Sequence, residues 1–156
     1  MNEQPAARDV VETLDVMRIM EMIPHRYPFL MIDRVVDLVP GVSAIGIKNV
    51  TINEHHFQGH FARQPVMPGV LIIECMAQTA AVLVVETLEG AAAGKLVYFM
   101  AIEEGRFRKP VVPGDRLHIH VTLLRRRGAV WKFSAEARVD GALMAQARFT
   151  AMIMDD

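Results

Sequence analysis

One cysteine, Cys75, stands in 156 residues, so neither an intrachain disulfide framework nor a cluster of thiolate metal ligands can be built. Neither sign of charge dominates: 17 basic and 18 acidic residues leave a net charge of −1. That balance excludes a chain-wide field that gathers nucleic acid or an anionic membrane. Walker loops, GxGxxG and GxSxG are all missing, which leaves nucleotide cradles and serine-hydrolase elbows without support. Internal repeats and low-complexity segments are missing too. Residues 1–13 (MNEQPAARDVVET) hold no apolar stretch behind a basic start, so they do not read as a secretory signal. Long apolar runs are limited to one, residues 69–85. At about 1.5 Å per residue it falls short of a hydrocarbon core of about 30 Å. Glu74 interrupts it, and no Lys or Arg cluster flanks it. It reads as the buried helix of a soluble protein, and a cytoplasmic location fits the lone cysteine.

What remains is 52% apolar and 22% charged, the balance of one folded domain with a substantial core. We expect a flexible segment at 1–13 and a single domain over 14–156. Leu14, Met17, Ile19, Met20 and Ile23 predict a short amphipathic helix over 14–23, stopped by Pro24. His25-Arg26-Tyr27-Pro28 is a turn. Strands are predicted over 30–39 and 43–51 around Pro40-Gly41. Residues 53–69 form a long irregular loop with three histidines, the kind of loop that is usually functional in a small domain. The apolar helix then runs from 69 to about 89, with Gly69 as its cap. It is apolar nearly all round and should be surrounded by protein. Four strand-like runs follow, over 95–104, 116–125, 129–139 and 142–154, with hairpin turns at Arg126-Arg127-Gly128 and Asp140-Gly141. The class is α+β: an antiparallel β-sheet wrapped around a central apolar α-helix.

Six histidines are the first candidates for chemistry. His118 and His120 alternate on one strand and face the same side, as metal ligands would, but no acid or thiol nearby completes a site. They read as solvent-facing. His55, His56 and His60 cluster in the loop without the zincin order HExxH. Glu74 is a carboxylate in an apolar helix, one turn from its start; it is either a structural or solvent-facing acid or one with a task. Gln78, four residues on, shares its face and can bond to it. A neutral imidazole at His60 can take a proton and a nearby acid can give one. Such a pair, without nucleophile or metal, suits elimination or addition of water across a carbon–carbon bond. Amides at Gly69 and Val70 can polarise a carbonyl. Spacing permits this constellation without demanding it.

The blocks His56-Phe57-Gln58-Gly59-His60-Phe61, Pro65-Val66-Met67-Pro68-Gly69-Val70-Leu71-Ile72-Ile73-Glu74 and Met76-Ala77-Gln78 resemble the signature of FabZ-type 3-hydroxyacyl-acyl carrier protein dehydratases. Supporting blocks are His25 to Leu30, Asp33-Arg34-Val35, Lys48-Asn49-Val50-Thr51, Phe107-Arg108 and Pro110 to Asp115, so that the likeness spans about residues 14–154. The resemblance implies a hot-dog fold, dimers joined sheet edge to sheet edge, and commonly a hexamer of three dimers. It implies a hydro-lyase of fatty acid and lipid A biosynthesis that needs no cofactor and no metal. His60 would take the α-proton and Glu74, from the other chain, would protonate the leaving hydroxyl. Gly69 would hold the thioester carbonyl. The acyl tunnel would map to Phe61, Val66, Val97, Tyr98 and Pro110, with Tyr98 near its far end. His55, His56, Ala62 and Cys75 depart from the family's usual residues, and all four flank the pair without removing it. The acid is Glu, where the sister dehydratase/isomerases carry Asp, which favours dehydration without isomerisation. A hot-dog thioesterase would lack this pattern, and a non-catalytic carrier-binding subunit would have lost the pair. The implied partner is an acidic acyl carrier protein. Residues 105–132 hold eight basic side chains against one acid, and Arg106, Arg108 and Lys109 adjoin Pro110, which makes them the expected docking residues.

Overall fold

The computed structural model describes residues 9–154. Its strands are β1 (Val11–Leu14), β2 (Arg34–Val39), β3 (Ser43–Asn49), β4 (Leu96–Phe107), β5 (Arg116–Arg127), β6 (Val130–Val139) and β7 (Ala142–Met154), and its α-helices are α1 (Val16–Met22) and α2 (Gly69–Thr87). The strands form one antiparallel sheet in the order β1-β2-β3-β5-β6-β7-β4. α2 packs on β2, β3, β5, β6 and β7. This is the hot-dog arrangement, a sheet around one long helix.

Alternation builds it. β6 buries Trp131, Phe133, Ala135 and Ala137, every second residue, and β5 does the same with Leu117, Ile119 and Val121. Phe133 stacks on Phe149 of β7 with ring centroids 5.4 Å apart. α2 is long and apolar enough to cross a membrane by length and composition, yet most of it is buried within the fold. Its β-branched and Ala residues give no polar stripe, so the helix is stable only where protein covers it on nearly every side. The tightest approach is at Gly46 of β3, where an added Cβ would collide with the Thr79 hydroxyl. That hydroxyl donates back to Cys75 O at 2.8 Å and is fully buried. Burial also pushes the Cys75 thiol well above its ordinary range.

Several boundaries differ from the sequence reading. Val11–Leu14 is a strand, not part of a flexible segment, because β2 supplies its pairing through Val11↔Leu38 and Thr13↔Val36. Residues 1–8 lie outside the described residues. Leu14 therefore leaves the helix, which is capped by Asp15 accepting from Arg18 N at 2.9 Å. Residues 30–33 precede β2 as irregular chain, since the Met31 amide bonds to the Gln78 side chain instead of a neighbouring strand. Pro68, not Gly69, is the cap of α2. Arg126 and Arg127 belong to β5, and the turn is Gly128-Ala129, with Gly128 at φ +59°, where glycine is favoured. β4 runs on to Phe107 and pairs only with β7, leaving its other edge free. Tyr98, Phe99, Met100 and Ile102 are exposed along it in the single chain.

Gly46→Ala should destabilise the protein by about 1–3 kcal/mol through overpacking. In a chain of this size that is a fall in Tm of roughly 2–4 °C per kcal/mol. Adding Thr79→Ala should recover part of the loss in thermal melts; an unchanged Tm in Gly46→Ala would show that the contact can relax.

Candidate active site

The loop between β3 and α2 carries His60, and it is pinned at its start. Lys48, buried at the end of β3, pairs with Glu54, whose second oxygen accepts from Thr51 N at 2.9 Å. A 3₁₀ turn at His55–Gln58 follows, burying Phe57. Burial holds His56 below the ordinary histidine range, although Glu54 pulls the other way. His60 is then held by backbone: its N–H bonds to His56 O at 3.0 Å and its C=O accepts from Val66 N at 2.9 Å. Its ring Nδ1 lies 2.6 Å from Val66 O. A carbonyl oxygen only accepts, so the proton of the neutral ring sits on Nδ1 and Nε2 is left as a bare acceptor.

His60 faces a cavity of about 470 Å³, lined also by Val66, Gly69, Val70, Phe107 and Pro110. The amides of Gly69 and Val70 open α2 without a carbonyl partner among the described residues. Phe107 of β4 lies across Gly69 so closely that a Cβ there would meet its ring at 2.7 Å. Any larger residue at 69 would thus displace Phe107 from the cavity wall.

Glu74 lies elsewhere in the chain. It lines a second, smaller cavity of about 30 Å³ with His25, Ala77, Ala81, Val97 and Phe99. Its Oε1 accepts from Gln78 Nε2 at 3.1 Å and lies 3.5 Å from His25 Nε2. The Gln78 carboxamide also donates to Phe29 O at 2.8 Å and accepts from Met31 N at 2.9 Å. The acid is therefore fixed by a network rather than left loose in an apolar wall.

The sequence-derived residues divide between these two places. Val66 and Pro110 stand with His60, and Val97 with Glu74. Phe61 and Tyr98 are 56% and 54% exposed and line neither cavity, Phe61 stacking on the His60 ring. Arg108 and Lys109 sit at the rim of the His60 cavity, and Arg106 is exposed on β4. His118 is half-buried and His120 exposed, and no three His, Cys, Asp or Glu side chains gather as a metal site among the described residues. Sequence reasoning missed two contributors. His25 meets Glu74 across 49 residues, a distance no local pattern bridges, and Phe107 meets Gly69 only because β4 extends beyond its predicted end.

A family model described as a FabA-like domain matches residues 23–148. A protein of Rhodospirillum rubrum named 3-hydroxyacyl-acyl-carrier-protein dehydratase FabZ is 63% identical over 156 residues, covering 100% of this chain and 98% of the relative. A protein of the same name from Acidiphilium cryptum is 68% identical, with 92% of this chain and 87% of the relative covered. Another from Rickettsia bellii is 55% identical, with 92% and 98% covered. Among solved structures, the dehydratase heterocomplex ApeI:P from Xenorhabdus doucetiae superposes with a TM-score of 0.76 at 18% identity, over 88% of this chain and 91% of that one. The E. coli PaaI protein of the phenylacetic acid degradation operon gives 0.59 at 15% identity, over 78% of each chain. These two likenesses show the fold alone. With near-complete coverage at such identities, the chain belongs to the FabA-like family and, within it, to the FabZ-type dehydratases, which are hydro-lyases.

Proposed function

We propose that this chain removes water from (3R)-3-hydroxyacyl groups carried on acyl carrier protein, giving the trans-2-enoyl thioester in fatty acid biosynthesis in the cytoplasm. The observation that carries the mechanism is the His60 ring, its Nδ1 anchored on Val66 O and its Nε2 left as an acceptor, on the wall of a cavity that Gly69 also lines. Nε2 takes the α-proton, the C–H electron pair becomes the C2=C3 bond, and the C3–O bond breaks. Glu74 delivers its proton to the departing hydroxyl, which leaves as water. The Gly69 N–H, at the positive end of α2, stabilises the charge that develops on the thioester oxygen. Solvent exchange then removes the proton from His60 and returns one to Glu74.

His60 and Glu74 line separate cavities in one chain, so this reading needs a second copy. The free edge of β4, with unpaired backbone groups and exposed Tyr98, Phe99, Met100 and Ile102, is where that copy would add. Joined so, the Val97 and Tyr98 wall of one chain would extend the Phe61, Val66 and Pro110 wall of the other into one acyl tunnel. The chain from β1 onward acts as a single catalytic domain, and dimers assemble further into a hexamer of three dimers. Arg106, Arg108 and Lys109 steer the acidic carrier to the mouth of the tunnel.

His60→Ala and Glu74→Gln should each lower dehydration by about 10²–10⁴-fold while leaving the assembly intact. Mixing the two inactive variants should restore activity once subunits exchange. With a crotonyl thioester, enoyl absorbance should fall without release of free thiol, whereas thiol release would mark a thioesterase. Near-normal turnover by either variant removes that residue from the mechanism. Light scattering at micromolar concentration should give an even-numbered assembly; a 17.4 kDa particle would contradict the shared site. Reversing Arg108 and Lys109 to Glu should raise KM for carrier-bound substrate, with the loss shrinking as salt screens the field. A short pantetheine thioester should be little affected; equal loss on both substrates sinks the docking idea.

A further inference from the structure

Both neighbours of the Glu74 carboxylate meet the same oxygen. Gln78 Nε2 donates to Oε1 at 3.1 Å, and His25 Nε2 lies 3.5 Å from that atom. Oε2 has no hydrogen-bond or ion-pair partner among the described residues. The remaining side chains of this cavity, Ala77, Ala81, Val97 and Phe99, offer no polar group.

The turn that carries His25 is fixed by contacts that do not involve Glu74. Arg26, next in the chain, donates to the carbonyls of Met20 at 2.8 Å, Ile23 at 3.0 Å and His25 at 2.6 Å, locking the turn after α1. Gln78 ties the far side of the same turn to α2 through Phe29 O and Met31 N. The other ring nitrogen, Nδ1, is buried and has no hydrogen-bond partner among the described residues. An orphaned N–H is the costlier group to bury there, because it forfeits a donor bond, whereas a bare lone pair loses less. The neutral ring therefore carries its proton on Nε2, the atom that faces Glu74.

From this geometry we propose that His25 is a positioning residue for the acid, its Nε2–H and the Gln78 amide together holding Oε1 so that Oε2 is the atom that hands its proton to the leaving hydroxyl. The inference rests on Glu74 being that acid. In the elimination step the C3–O bond breaks, the Oε2 proton goes to the hydroxyl oxygen, and the charge left on the carboxylate is shared with an Oε1 that Gln78 already bonds and that the His25 Nε2–H, 3.5 Å away, closes on to bond. Those bonds strengthen as the charge develops, so they favour the transition state over the bound substrate.

His25→Ala should lower kcat roughly 10- to 100-fold, the worth of one hydrogen bond to a charged group, with KM for a short thioester changed less than about twofold. His25→Gln, which can place an N–H near the same point, should recover most of the loss. In a Glu74→Gln background, His25→Ala should leave the residual rate, read at high enzyme concentration, nearly unchanged, because the acid it serves is gone. Should His25→Ala not fold, His25→Asn, too short to reach Glu74, is measured in its place with the same expectations. An unchanged kcat, a raised KM at constant kcat, or an equal loss in both backgrounds would overturn the proposal and leave His25 a wall or packing residue. If Glu74→Gln itself turns over normally, the assignment of the acid fails and takes this inference with it. If Glu74→Gln is inactive while His25→Ala is normal, only the positioning role fails.

Discussion

The buried carboxamide of Gln78 is the contact on which most of the arrangement depends. Its amide nitrogen spans Phe29 O and Glu74 Oε1, and its oxygen takes the Met31 amide. One side chain thus closes the turn after α1 onto α2, satisfies two backbone groups that no strand reaches, and holds the acid. A helix as apolar as α2 cannot carry a polar residue into its buried face unless every polar atom finds a partner, and an unsatisfied one costs about 1–3 kcal/mol. Gln78 meets that condition and gives Glu74 a fixed place in the helix, where a lone carboxylate would carry an uncompensated desolvation cost.

The two halves of the proposed chemistry are held by different means. His60 sits on irregular chain, so its orientation comes from backbone bonds to His56 and Val66 and from the part-buried Lys48–Glu54 pair that fixes the start of the loop. Glu74 sits on the most deeply buried element and inherits its rigidity. Between them stands the close packing of Phe107 over Gly69, which couples the end of β4 to the start of α2. Since β4 also bears the free, apolar edge, whatever covers that edge also bears on the wall of the His60 cavity. On our reading, assembly and formation of the site are therefore one event.

Elements carried by strong local signals were legible in the sequence. Asp140-Gly141 marks its hairpin, and β7 spans 142–154, the range of the last strand-like run in the sequence. The apolar run from Gly69 gives the central helix, and sheet around helix follows from the order of the elements. Signals that depend on distant partners were not legible. β1 has four residues, too few for a period, and exists because β2 offers an edge. Residues 30–33 read as the start of a strand, yet a side chain 47 residues away takes the Met31 amide. The loop and helix motifs singled out His60, Gly69 and Glu74, which line the two cavities, and the i+4 spacing singled out Gln78, which bonds to Glu74. His25 stayed hidden because nothing local relates it to an acid 49 residues on.

That hidden contact changes how the acid is understood. In sequence, Glu74 is a carboxylate whose two oxygens are equivalent, with Gln78 at i+4 as its one local partner. In the fold the two oxygens differ: Oε1 faces two nitrogen groups and Oε2 faces none. A carboxylic acid donates from one oxygen while the other accepts, so fixing the acceptor side also fixes the side from which the proton leaves. A free carboxyl rotor would divide its proton between both oxygens and between orientations, and each nonproductive population would lower the rate in proportion. On our reading, the segment His25-Arg26-Tyr27-Pro28, which reads in sequence only as a turn, is thus part of the same pre-organisation that anchors His60 on Val66.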